Sequence, residues 1–141
     1  MAAADLLLIV TASDRYRDGS GYEEVAGYSR AVRRGSLIEV SGTTCADEEA
    51  HLDAHDQALA CIRRAVAAVE ALGGRRDDIV RTRMFLAPGV DWQEAAAAHR
   101  ALLGDVAPAN TLVHVHSLVG RHLLVEVELQ AWVDEAAERV E

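Results

Sequence analysis

The chain has 141 residues, half of them apolar, and a formal charge of −9. That length suits one globular domain with a sizeable core. The acidic balance argues against nucleic acid as a partner, because the basic clusters are short ones, Arg30/Arg33/Arg34 and Arg75/Arg76. Two cysteines, Cys45 and Cys61, lack CxxC spacing, which argues against a disulfide framework or zinc knuckle and fits a reducing cytoplasm.

Leu6 to Val10 is too short to span a bilayer, follows an acidic Asp5 and has no basic n-region, so it reads as a strand and no membrane association is expected. Residues 13–21, rich in Gly, Ser and Asp, read as a loop. Tyr28 to Val32 and Leu37 to Ser41 are β-prone runs whose spacing suits a hairpin, with Gly35 supplying a positive φ. From about Glu49 the period changes. Leu52, Leu59, Ile62, Val66, Val69 and Leu72 recur at three- and four-residue steps, with His55 in the same stripe, and predict one long helix. Asp47 lies near its expected start, and Gly73-Gly74 provides a stop.

Ile79 to Leu86 predicts a strand with Val80, Thr82, Met84 and Leu86 on one face and Arg81, Arg83 and Phe85 on the other. Asp91 is expected to start a second helix that ends at Gly104, with Trp92, Ala95, His99, Leu102 and Leu103 on its inner stripe. Thr111 to Leu118 and Leu123 to Val133 read as two strands joined by a turn at 119–122. Val113, Val115, Val125, Val127, Leu129 and Ala131 are expected to form the face covered by helices. Leu112, His114 and His116 would then share the other face with Glu126, Glu128, Gln130 and Trp132. A sheet covered on one side must solvate its second face or bury it against another subunit. The fold class is therefore α+β, a mixed sheet with two helices on one face. The single domain of 1–141 divides into a core of 22–133, an N-terminal strand and loop, and an acidic tail at 134–141.

Gly27-Tyr28-Ser29-Arg30-Ala31-Val32 is similar to a "G-x-YSxAV" opening, and Glu39-Val40-Ser41-Gly42 to an "xVSG" strand end. The run 78–86 is similar to "DVVKxxVFL", residues 107–113 to "PARxxV" and residues 124–128 to "(V/K)xEIE". In this order the motifs resemble the RidA (YjgF-type) superfamily over about residues 22–133. The resemblance implies a homotrimer with clefts between subunits. It also implies a small-molecule substrate, an imine or enamine hydrolysed to ammonia and a carbonyl compound, with no cofactor and no metal. Tyr28, Ser41, Gly42 and Glu126 fall on cleft positions of the family, and Thr43 beside them is read as a further substrate contact. Where the family carries the arginine that grips a substrate carboxylate, this chain has Asn110, and the next cleft position is Leu112.

An asparagine offers one neutral amide where a guanidinium offers a charged fork, so ordinary imino-acid hydrolysis should be weak and the substrate range altered. Asn110 also reads as a turn residue capping the strand after Pro108. Glu126 is the candidate to position or activate a water, and its other reading is an interface residue paired with a neighbouring arginine. His114 and His116, two apart on a strand, admit an acid/base role beside Glu126, a metal site, or hydrogen bonding at an interface. Tyr28 reads as a ring wall of the cleft. The expected site thus combines Glu126, Asn110 and His114 as catalytic groups with Tyr28, Ser41, Gly42, Thr43 and Leu112 as substrate contacts. The alternative is a non-catalytic metabolite-binding or regulatory trimer.

Overall fold

A computed structural model describes residues 14–134; the predicted strand at 6–10 and the end of the acidic tail lie outside them. Chain order runs β1 (Arg15–Tyr16), α1 (Gly21–Ala26), β2 (Ala31–Arg34), β3 (Leu37–Thr43), α2 (Ala54–Ala71), β4 (Ile79–Leu86), α3 (Trp92–Leu103), β5 (Ala109–His114) and β6 (Val125–Trp132). The strands form one mixed sheet in the order β1-β2-β3-β6-β4-β5. The predicted α+β class is what forms, with a third, short helix directly after the stretch read as a loop. Its appearance follows from Glu23, whose buried carboxylate accepts hydrogen bonds from the amides of Gly19 and Arg30, both at 3.0 Å, and so closes the segment on itself.

The β2–β3 hairpin forms as read, with Gly35 at φ 56° in its turn. In α2 the cap is Asp53, whose side chain accepts from the Asp56 amide at 2.9 Å; Asp47 instead opens a separate 3-10 turn. The face that α2 lays on the sheet is built from small residues, Ala54, Ala58, Cys61, Ala65 and Ala68, which lets the helix approach closely. Ile62, Val69 and Leu72 are buried as expected, whereas Leu59 and Val66 pack at the margin and His55 stays half-exposed, paired with Asp56. The α3 stripe holds at Ala95 and Leu103, but Trp92 lies on the solvent side, 53 % exposed, and Ala98 takes an inner place.

Three strand expectations need correction. Strands β5 and β6 are not a hairpin: β5 pairs parallel with β4 after the α3 crossover, and β4 separates it from β6. The register Thr82↔Asn110, Met84↔Leu112, Leu86↔His114 puts Asn110, Leu112 and His114 on the helix-covered side and turns Val113 outward, the reverse of the expected faces. Finally, an extra residue in β4 between the pairs Ile79↔Ala131 and Arg81↔Gln130 breaks the alternation, so Ile79 is buried and Val80 exposed. The rest of the inner face is as read, with Thr82, Met84, Leu86, Val125, Val127, Leu129 and Ala131 all buried.

One buried polar side chain organises the segment between β5 and β6. Gln57 of α2 sends its amide nitrogen to the carbonyls of Ala50, Leu52 and His122, each at 3.1 Å, and accepts from the Leu124 amide at 2.8 Å. It fastens the loop to the helix through groups that would otherwise be buried without partners.

Candidate functional site

The site begins at an irregularity in β3. Val40 pairs with Leu129 and Thr43 with Val127, so three steps along β3 match two along β6 and the strand bulges at Ser41–Gly42. The bulge turns the Gly42 backbone toward β6. A Cβ on Gly42 would stand 3.0 Å from Glu126 Oε2, tighter than an ordinary contact, so a larger residue would push the carboxylate away.

Arg30, at the entry to β2, lies behind this bulge and is 4 % exposed. Its Nη1 donates to the Gly42 carbonyl at 2.5 Å and to Thr43 Oγ1 at 3.1 Å, and its Nη2 donates to the Tyr28 hydroxyl at 3.2 Å. Its Nε faces the Asp18 carboxylate at 3.6 Å. Asp18 also pairs with Arg64 at 2.7 Å. Partial burial alone would raise the Asp18 carboxyl, but the Ser20 amide, Arg64 and Arg30 outweigh it and hold the group at about 2. One carboxylate thus serves two guanidinium groups.

A cavity of about 280 Å³ opens over this frame. Its polar side chains come from Tyr22, Tyr28, Arg30, Thr44 and Glu126, and Gly42 supplies backbone. The loop fastened by Gln57 adds Val119, Gly120 and Leu123 as a mostly apolar wall. Desolvation pushes the Glu126 carboxyl above its ordinary value, with Arg30 pulling the other way and Glu128 adding to the rise. A half-buried carboxylate with a raised pKa is a stronger proton acceptor than a free one and is suited to taking a proton from water and returning it.

Tyr28, Gly42 and Glu126, the residues read for this site, do come together. Ser41 and Thr43 stand behind the cavity: the Ser41 hydroxyl donates to the Ser29 carbonyl at 2.7 Å and the Thr43 hydroxyl to the Ser41 carbonyl at 2.8 Å. The bulge explains the difference, since it rotates Thr43 inward and brings Thr44 to the cavity wall. Within one chain Asn110, Leu112 and His114 are not neighbours of Glu126, because β4 intervenes. Asn110 Nδ2 donates to Thr82 Oγ1 at 3.0 Å, and Thr82 Oγ1 lies 2.8 Å from His99 Nε2. Leu112 packs against the core, and His114 donates or accepts only locally, with Nε2 2.8 Å from the Val90 carbonyl and therefore donating. Among the described residues, the group whose spacing suits a metal ion is Asp53, His55 and Asp56 at the start of α2, not the His114/His116 pair. No described helix is long and apolar enough to cross a membrane.

Sequence reasoning missed Arg30, which looked like one member of a surface basic cluster. The available signal was its place one residue before the inward-facing Ala31, downstream of two carboxylates, Asp18 and Glu23, that the fold brings to its backbone and side chain.

A mixed sheet with helices on one side and a carboxylate-bearing cavity at its bulged strand defines a small α+β fold with one candidate site. Residues 20–133 match the family described as Endoribonuclease L-PSP, and the chain belongs to that family, the YjgF/RidA superfamily. A Mycobacterium tuberculosis member of the YjgF/YER057c/UK114 family is similar in structure, with TM-score 0.78 and 35 % identity over 84 % of this chain and 98 % of that one. The Escherichia coli YjgF product gives TM-score 0.70 and 25 % identity over 84 % of this chain and 94 % of its own. An uncharacterized protein of Streptomyces coelicolor is 32 % identical over 121 residues, 84 % of this chain and 90 % of that protein.

Proposed function

We propose that this protein is a small-molecule hydrolase that deaminates reactive imines or enamines, or acts on related reactive carbonyl compounds, in a cleft completed by a neighbouring subunit of a homotrimer. The observation that carries the reading is the half-buried Glu126 carboxylate against the Gly42 backbone, inside a cavity sized for a compact ligand. Water held by Glu126 adds its oxygen to the carbon of the protonated C=N bond while one water proton passes to the carboxylate, giving a neutral carbinolamine. The carboxyl gives that proton to the amino nitrogen, the C–N bond breaks as the hydroxyl proton returns to the carboxylate, and that proton leaves with the ammonia as ammonium, beside a carbonyl compound. The outward sheet face, with Trp132 54 % and Val113 41 % exposed, supplies apolar surface for the neighbouring subunits. The endoribonuclease named in the family description is disfavoured by the net charge of −9 and by the carboxylate in the cavity wall.

A second reading, a non-catalytic metabolite-binding trimer, is favoured by one observation: the residue at the family's arginine position, Asn110, is tied to Thr82. The deciding experiment is ammonia release from freshly generated imines with and without a carboxylate, 2-aminoacrylate and the imine of 2-oxobutanoate among them. Acceleration by the wild type that disappears in Glu126→Gln at unchanged oligomeric mass is expected. No acceleration with any of the compounds would leave the binding reading in its place.

A further inference from the structure

The cavity holds a cation, but three of its five N–H groups are already bonded to the chain itself. A guanidinium has five N–H groups, and a carboxylate is gripped best by two adjacent ones acting as a fork. In Arg30 both Nη1 hydrogens are directed to the chain itself, to the Gly42 carbonyl and Thr43 Oγ1. Of the other fork, Nη2 gives one hydrogen to the Tyr28 hydroxyl at 3.2 Å, and Nε, buried without a hydrogen-bond partner, faces the Asp18 carboxylate at 3.6 Å, whose charge repels a second anion. With only 4 % of the residue exposed, the group cannot present an edge to a ligand without dismantling this frame. The other charge on the wall, Glu126, repels an anion.

The bond to Tyr28 has its own consequence. Because the Tyr28 oxygen accepts from a charged donor, its hydroxyl hydrogen is left to donate, and a donor polarised in this way makes the stronger hydrogen bond. The ring stands beside the same guanidinium, whose carbon is 5.6 Å from the ring centroid, so the position of the hydroxyl is held from two directions. Tyr28 lines the cavity with Glu126 and the apolar groups of Val119 and Leu123.

We propose that this cleft selects uncharged carbonyl or imine compounds with a compact apolar body, that the Tyr28 hydroxyl donates to the oxygen or nitrogen of their C=O or C=N bond, and that Arg30 is the positioning residue that aims it. This rests on the reading of the cavity as the ligand cleft and deepens it by naming the substrate class. It also gives Tyr28 a polar role in addition to that of a wall.

The test uses two probes of one carbon skeleton, butanone and 2-oxobutanoate, titrated separately into the full chain while amide NMR resonances are followed. A salt concentration of about 0.3 M keeps the long-range repulsion of an anion by the acidic surface from deciding the outcome. Expected are shifts at Gly42 and Thr44 with butanone at a concentration at least tenfold lower than with 2-oxobutanoate. In Tyr28→Phe, which keeps the ring, the butanone shifts should weaken about tenfold. Equal or tighter binding of 2-oxobutanoate, whichever cation holds it, overturns the proposal while leaving the hydrolase reading intact. Unweakened butanone binding in Tyr28→Phe also overturns it. Absence of shifts at the cavity with either probe sinks both this proposal and the assignment of the cavity.

Discussion

The two ends of the sheet treat their polar side chains in opposite ways. At the β2–β3–β6 end, Arg30, Tyr28 and Glu126 are assembled around a bulge and leave a carboxylate and a hydroxyl facing a cavity. At the β4–β5 end, Asn110, Thr82 and His99 satisfy one another between sheet and helix, and nothing is left facing out but the backbone and exposed side chains of an edge strand. Residues that one sequence motif would assign to a common site thus divide into a half that holds a ligand-sized space and a half that closes on itself. Motif position fixes where a residue stands in the chain. Strand order and register decide what it meets.

The contrast can be broken by substitution. The largest effect is expected at Gln57, which supports the cavity end: Gln57→Leu removes the side chain that bonds three carbonyls and one amide in part-buried positions and should cost about 3–5 kcal/mol in denaturant unfolding. Next comes Arg30→Met, which removes a buried cation, leaves the Gly42 carbonyl without its donor and leaves Asp18 with Arg64 alone. A loss of about 2–4 kcal/mol is expected, measured the same way. Asn110→Ala, at the exposed edge, should cost only about 0.5–1.5 kcal/mol. If Asn110→Ala proved as damaging as Arg30→Met, the proposed division between the two ends would fail.

The smallest expected effect sharpens the comparison through pH. Burial lowers the pKa of His99 below its ordinary 6.5, so the folded chain binds fewer protons at this ring than the unfolded chain does. Stability from this source is complete above about pH 6.5 and falls as the pH drops through 6.5 toward the folded value. Thermal unfolding between pH 5 and 7.5 should show a shallower slope for His99→Gln than for the wild type. Glu126, with its carboxyl raised by desolvation, acts in the other direction: its charged form is disfavoured by folding, and its contribution becomes less favourable as the pH rises through the folded value.

Most of the scaffold was legible because buried strands and helices write their period into the sequence. The inward residues of β6 and the hairpin turn at Gly35 are examples. The face of β5 was not legible, since an edge strand exposes Asn110, Thr111 and Val113 alike and leaves alternation nothing to report. Nor was its partner: a parallel pairing formed across α3 has no local signature comparable to a hairpin turn. In the candidate site, Tyr28, Gly42 and Glu126 were found through motif resemblance, whereas Thr43 was misplaced by a bulge that shifts parity by one. Arg30 was missed because an arginine among arginines looks solvated until the carboxylates around it are known.

The bulge at Ser41–Gly42 has a consequence for how such a protein can change over generations. Because the extra residue shifts parity by one and so leaves both Val40 and Thr43 facing inward, the hydrophobic alternation on either side is insulated from the residues at the kink. Ligand-facing chemistry can be rewritten there while the sheet keeps its register. A fold with such a joint can drift toward new substrates without first losing its stability.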